Sequence, residues 1–295
     1  MNVKKIKAML KDNVNLSLYK APFTIEKYYG RDDEKTHYGD PGKDPICNHL
    51  IQDVDYKKIK IQYKFNSFGL RGPEPNAKKS DKKILFAGGS FCFGTGLNVE
   101  DTFPYILSEM MGADYLNLSD VDSLTELIPY LKDIKSKFNP DYFVLCDTRF
   151  INEIDWIRTF TYQNISEGGD LDMTEIIKTN EIRRRSLKLF ELEDYETNHL
   201  ITKNELKRFA NEMFNIEAMN TMTMFDSFCK DIFNIPMAFV YFDRKLFTSK
   251  EFEFKNLRSI KINKKEVVDI ARDNVHPGPK TNYYIANLVK SKLEE

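Results

Sequence analysis

Ile84-Leu-Phe-Ala-Gly-Gly-Ser-Phe-Cys-Phe-Gly94 is the stretch that decides the fold. Ile84 to Ala87 is a continuous apolar run rather than an alternating one, which suits a strand buried on both faces of a parallel sheet. Gly88 and Gly89 close the run, and Ser90 follows at once. A serine at the carboxyl end of a central parallel strand stands where open α/β sheets place their ligand crevice. Flanking glycines let the backbone turn sharply and come close to a substrate.

Outward from this stretch, strand and helix signals alternate. An amphipathic segment covers Phe103–Met111, and Tyr115–Leu118 reads as the next strand. Leu124, Leu127, Ile128, Leu131 and Ile134 recur at helical spacing. Pro129 either kinks that helix or lies close to its start, and Asn139-Pro140 stops it. Tyr142–Cys146 is another buried strand. The βαβαβ order predicts an α/β class, a flavodoxin-like three-layer α/β/α sandwich with a parallel sheet and right-handed crossovers. Ile235–Tyr241 returns to the sheet, Val267–Ile270 lies near the last strand, and Asn282–Leu293 is a final helix. Between them, 151–234 shows no strand signal and is polar and helix-like at Thr174–Glu193 and Thr202–Phe233, as a helical insertion would be. Residues 1–82 read as an N-terminal extension and irregular lead-in. Within it Ile59, Ile61, Tyr63 and Phe65 alternate strictly with polar residues, the period of a half-buried strand. The expected organisation is an extension over 1–82 and one α/β domain over 83–295, carrying the insertion at about 151–234.

The 295 residues hold 44 Lys+Arg against 45 Asp+Glu, a net charge of −1. That balance excludes bulk attraction to nucleic acid or anionic lipid, so no nucleic-acid partner is expected. With 41 % hydrophobic and 13 % aromatic residues, the chain can build a sizeable core. Cys47, Cys92, Cys146 and Cys229 are widely spaced and read as free thiols of a reducing compartment. His37, His49, His199 and His276 form no paired metal motif, so neither a metal nor an organic cofactor is expected. The first ten residues lack the roughly 7–15-residue apolar stretch of a secretory signal. The longest apolar run, about Ile235–Phe242, falls far short of the roughly 18 residues of a membrane span. A cytoplasmic protein is expected, or a virion-associated one if the gene is carried by a phage.

Two chemistries compete for the loop after the first strand. Gly89 and Gly94 have phosphate-loop spacing, but Thr95 stands where the phosphate-binding Lys belongs. Gly94 and Gly96 also lack the third glycine of a dinucleotide fingerprint. The other chemistry is nucleophilic, and a serine hydroxyl needs a base to take its proton. Asp273-Asn-Val-His276 supplies one: His suits proton transfer near neutral pH, and a carboxylate three residues earlier can accept from its other ring nitrogen. Each feature also has an ordinary reading, Ser90 as a small turn residue and His276 as a surface His beside a proline turn.

Together the segments resemble the SGNH/GDSL hydrolase family of esterases, lipases, deacetylases and some acetyltransferases. Gly88-Gly-Ser-Phe-Cys-Phe-Gly94 is similar to its first block, with Gly89 in place of the usual Asp. Asp273-Asn-Val-His276 is similar to its last block, and Asn66-Ser-Phe-Gly-Leu-Arg-Gly72 to a stretch often found upstream. The resemblance implies a triad of Ser90 as nucleophile, His276 as base and Asp273 as orienting acid. It also implies an oxyanion hole. The Ser90 amide would form one part, but the second-block glycines fall on Ser119 and Asp122, and the third-block Asn falls on Arg149. Either Arg149 or Asn152 is then the side-chain donor. Phe91 and Trp156 are candidate substrate walls; Trp156, with Phe150, Phe160 and Tyr162, would stack on a sugar or else pack under the insertion. Met219, Met222 and Met224 around Phe225 read as insertion core, and Arg183-Arg-Arg185 as a solvated helix face. Two functions stay open. One is a serine esterase for a small ester or acetylated sugar, such as a carbohydrate O-deacetylase. The other is a catalytically decayed relative that serves as a binding or assembly component, for example of a phage.

Overall fold

Short apolar runs bounded by turn residues fold here into strands; the structure, a computed structural model, describes residues 23–25, 47, 49, 50, 60–119, 127, 131–146, 222–242, 254–273 and 275–295. The strands are β1 (Phe23–Ile25), β2 (Tyr63–Phe65), β3 (Lys83–Gly88), β4 (Asp114–Leu118), β5 (Tyr142–Cys146), β6 (Met237–Phe242) and β7 (Leu257–Ile262). The helices are α1 (Ser90–Phe93), α2 (Phe103–Met111), α3 (Leu131–Lys137), α4 (222–233) and α5 (Pro279–Glu294). Apart from Met222, all described residues belong to one compact unit drawn from Met1–Arg149 and Thr223–Glu295.

The main sheet has the order β4-β3-β5-β6-β7, and every pairing in it is parallel. β3 lies inside the sheet with a neighbour on each side, and its Ile84 to Ala87 are fully buried, as a continuous apolar run requires. Ile84 and Phe86 face one layer, where Phe103 and Leu107 of α2 and Ile285, Ala286 and Val289 of α5 complete the core. On the opposite face, Phe143 of β5 packs against Phe225 and Phe233 of α4, with ring centroids 5.8 and 6.0 Å apart. Buried Leu131 and Ile134 bring α3 to the same side. The result is the three-layer α/β sandwich with a parallel sheet.

Leu127 is helical and buried, and α3 is described from Leu131 onward; Pro129 lies outside the described residues. The last strand is β7, which the apolar pattern does not reveal; Arg258 and Lys261 interrupt it, and its burial is uneven along its length, as at a sheet edge. Val267–Ile270 lies beyond that strand, in the loop that leads to α5. Of the expected insertion at 151–234, only 222–234 is among the described residues, and 222–233 is helical. Met222 and Phe225 are buried there, whereas Met224 is exposed on the outer side of α4 rather than in a core. Among the described residues no helix is long and apolar enough to cross a membrane.

The lead-in forms its own small sheet, with β1 antiparallel to β2. Ile61, Tyr63 and Phe65 all point to one side and bury against Phe93 of α1. The alternating pattern therefore seals the back of the helix that Ser90 begins.

Candidate active site

The turn that presents Ser90 depends on glycine. A Cβ on Gly88 would lie 2.1 Å from the Cys146 carbonyl oxygen, so β3 can end beside β5 only without a side chain at this position. The Gly89 amide then donates to that same carbonyl at 3.3 Å. Ser90 opens α1 and is exposed at the carboxyl edge of the sheet, while Phe91, Cys92 and Phe93 behind it are buried. Gly94 ends the helix in a left-handed conformation, its amide donating to the Ser90 carbonyl at 3.0 Å. Asn117, near the end of β4, steadies this helix: its amide nitrogen donates to the Cys92 carbonyl at 3.3 Å, and its oxygen accepts from the Ser119 amide at 3.0 Å.

The loop between β7 and α5 brings the Asp-x-x-His segment to the same edge. Ala271 N donates to the His276 carbonyl at 2.7 Å, and Gly278 N to the Asp269 carbonyl at 2.9 Å, closing a tight hairpin. Asp269 also accepts from the Lys280 and Thr281 amides at 2.8 and 2.9 Å, which caps the start of α5. Asn282 locks the hairpin to α2. Its amide nitrogen donates to the Pro277 and Gly278 carbonyls, and its oxygen accepts from the Phe103 amide at 3.0 Å.

Within this frame the three side chains meet in series. His276 Nε2 lies 2.7 Å from Ser90 Oγ. His276 Nδ1 is hydrogen-bonded to Asp273 Oδ2. The other carboxylate oxygen accepts from the Val275 and His276 amides, both at 3.1 Å. Asp273 is fully buried and His276 nearly so. Burial works against the charge of Asp273. The adjacent His276 imidazole and the hydrogen bonds from His276 and Val275 outweigh it, so the carboxyl titrates below the ordinary aspartate value. With an acceptor at Nδ1, a neutral imidazole carries its proton on that nitrogen and offers the Nε2 lone pair to the hydroxyl.

The Phe91 ring is buried, 4.4 Å from the Phe242 ring and 4.9 Å edge-on from the His276 ring, so it supports the imidazole from within the core. Arg149, Asn152 and Trp156 lie outside the described residues, as does Asp122. Sequence reasoning missed two polar contacts near these residues: Asn282, which ties the His276 loop to Phe103, and Tyr63, whose hydroxyl accepts from the Gly96 amide at 2.8 Å. A tyrosine on an otherwise apolar strand face is the available signal, because a buried phenol needs a polar partner. Among the described residues no group of three or more His, Cys, Asp or Glu converges to hold a metal ion. All four cysteines are buried, and none is in a disulfide.

No family model matches the chain, and no curated protein matches it. Among solved structures, it is similar to a protein from Bacteroides ovatus ATCC 8483 described as a GDSL-like lipase. The identity is 15 % and the TM-score 0.32, over 72 % of this chain and 52 % of that one. The match thus spans about half the length of the Bacteroides chain.

Proposed function

We propose that this chain is a serine esterase of the SGNH/GDSL type. The observation that carries the reading is the unbroken series from buried Asp273 through His276 to exposed Ser90, with 2.7 Å between Nε2 and Oγ. That spacing is within reach for direct proton transfer. In the first step His276 Nε2 takes the hydroxyl proton as Ser90 Oγ attacks the carbonyl carbon of the ester. The tetrahedral intermediate collapses, its C–O bond to the alcohol breaks, and His276 delivers the proton to the departing alcohol oxygen. Water then attacks the acyl-serine, giving a proton to His276. Collapse releases the acid, and the proton returns to Ser90. Asp273 keeps its charge throughout and stabilises the imidazolium that forms twice per turnover.

As the first residue of α1, Ser90 has an amide without an acceptor inside its helix. In this reading it is one oxyanion donor, and Arg149 or Asn152 supplies the side-chain donor. Such a donor is worth about 2.7–4 kcal/mol at the transition state. The substrate class, a small ester or an acetylated sugar with Trp156 along its wall, follows from the resemblance to the family.

The test is a fluorophosphonate probe on the purified full chain, read by intact mass. One adduct is expected, mapping to Ser90 and absent from Ser90→Ala. An adduct that persists in Ser90→Ala, or never forms on the folded wild type, sinks the nucleophile assignment and leaves the binding or assembly role.

A further inference from the structure

Strand β2 of the lead-in reaches the Asp273 loop through the Gly96 backbone. Tyr63 is fully buried in β2, and its hydroxyl oxygen accepts a hydrogen bond from the Gly96 amide at 2.8 Å. The Gly96 carbonyl in turn accepts from the Arg272 amide at 3.1 Å. Gly96 has φ +79°, a conformation that side-chain-bearing residues rarely adopt. A Cβ there would stand 2.9 Å from Asp273 N and 3.1 Å from Asp273 Cγ. The Gly96 backbone is therefore packed closely on the Asp273 backbone and carboxylate and on the Ala271 Cβ, which would lie 3.0 Å from such a Cβ.

Tyr63 is held in its turn. Its ring stacks on Phe93 of α1, with centroids 6.1 Å apart and planes 20° from parallel. The Arg71 guanidinium lies 4.4 Å from the Tyr63 ring centre and 4.9 Å from that of Phe93. Arg71 Nη2 also donates to the Leu97 carbonyl at 2.5 Å, next to Gly96. A phenylalanine would fill the same apolar space against Phe93. The hydroxyl serves the Gly96 amide.

We propose that Tyr63 is a positioning residue: by holding Gly96 it seats Asp273, and through Asp273 it sets the His276 imidazole relative to Ser90. This rests on the reading of those three residues as a proton relay. It gives the lead-in a part in the reaction without contact with substrate. A displacement of the Gly96 peptide passes to the carboxylate and rotates the imidazole away from its line to Ser90 Oγ.

The experiment compares the full-length wild type with Tyr63→Phe. Hydrolysis of p-nitrophenyl acetate is expected to lose about tenfold in kcat at unchanged KM, because small misplacements of reacting groups are costly. The downfield NMR resonance of the His276 Nδ1 proton should move, and the Gly96 amide should exchange faster with solvent. Asp114→Asn is the stability control. Asp114 accepts from the Lys78 and Ser80 amides, both at 2.8 Å, at the opposite end of the sheet. That variant should melt lower than wild type while keeping the wild-type kcat and His276 resonance. Tyr63→Phe with wild-type kcat and an unmoved His276 resonance overturns the proposal, whatever its melting temperature. So does a wild-type Gly96 amide that exchanges as fast as a free peptide, a measurement that stands even if the variant does not fold. If wild type neither hydrolyses ester nor labels at Ser90, the esterase reading falls. The His276 resonance and Gly96 exchange then still decide whether Tyr63 positions the Asp273–His276 pair.

Discussion

Replacing Asp273 by Asn removes one charge and almost no volume, so its effect can be worked from the hydrogen bonds alone. Asp273 Oδ1 accepts from the Val275 and His276 amides at 3.1 Å, and Oδ2 accepts from His276 Nδ1. An asparagine oxygen must stay with the two amides. The reverse orientation would aim an NH2 group at two buried N–H donors, at about 1–3 kcal/mol for each group left unpaired. The new NH2 therefore faces Nδ1, which can accept only if the ring proton moves to Nε2. Nε2 then presents a hydrogen rather than a lone pair to Ser90 Oγ, 2.7 Å away, and the base is gone. The equivalent lock in serine proteases is worth about 10⁴-fold in rate, or about 5.5 kcal/mol of transition-state stabilisation. The assay is the second-order rate of fluorophosphonate labelling, with p-nitrophenyl acetate turnover beside it. Folding should suffer far less, about 1–3 kcal/mol at neutral pH, for loss of charge-assisted bonds to a buried carboxylate. The sign with pH follows from the lowered Asp273 titration. Its stabilising contribution is complete above the unfolded value of about 3.9 and drains away as pH falls through the lower native value. The stability gap between wild type and Asp273→Asn should thus narrow only below about pH 4. Labelling of Asp273→Asn at the wild-type rate would refute the tautomer argument, and with it the relay.

Two further outcomes test the frame around the site. Gly88→Ala forces a Cβ to 2.1 Å from the Cys146 carbonyl and should destabilise the fold by about 3 kcal/mol or more, seen as a lower midpoint in urea. Asp226→Ala removes the buried carboxylate of α4 that accepts from the amides of Lys255, Asn256 and Leu257, at 3.2, 3.2 and 2.8 Å. It should cost about 2–3 kcal/mol in thermal unfolding, because those donors lose their acceptor at the entry to β7.

The features that local pattern carries were legible in the sequence. Phe103–Met111 and Tyr142–Cys146 appear with the expected bounds, since periodicity and turn residues are short-range signals. β7 was not legible, because the charged Arg258 and Lys261 break the apolar run that marks an inner strand. The Ser90 turn and the Asp273–His276 segment could be singled out by residue type and by the strand or loop that holds them. Tyr63 could be placed on a buried strand face, but its partner could not be named, because Gly96 lies 33 positions away. Nothing in the stretch around Arg71 names what buries it. Its guanidinium lies over the rings of Tyr63 and Phe93, 30 positions apart in the sequence, which only the folded chain brings together.

By itself, the sequence determined the class of the sheet, where most of its strands lie along the chain, and the candidate nucleophile and base. Apolar runs, glycines and an Asp-x-x-His spacing are read within a few residues of one another. Only the tertiary structure decided that Ser90 and His276, 186 positions apart, stand 2.7 Å from each other. That distance depends on the strand order β4-β3-β5-β6-β7, on α5 packing beside α2, and on the bonds by which Asn282 ties the His276 loop to Phe103. Each of these is a long-range packing choice that becomes favourable only when the whole core closes, so no window of the sequence contains it.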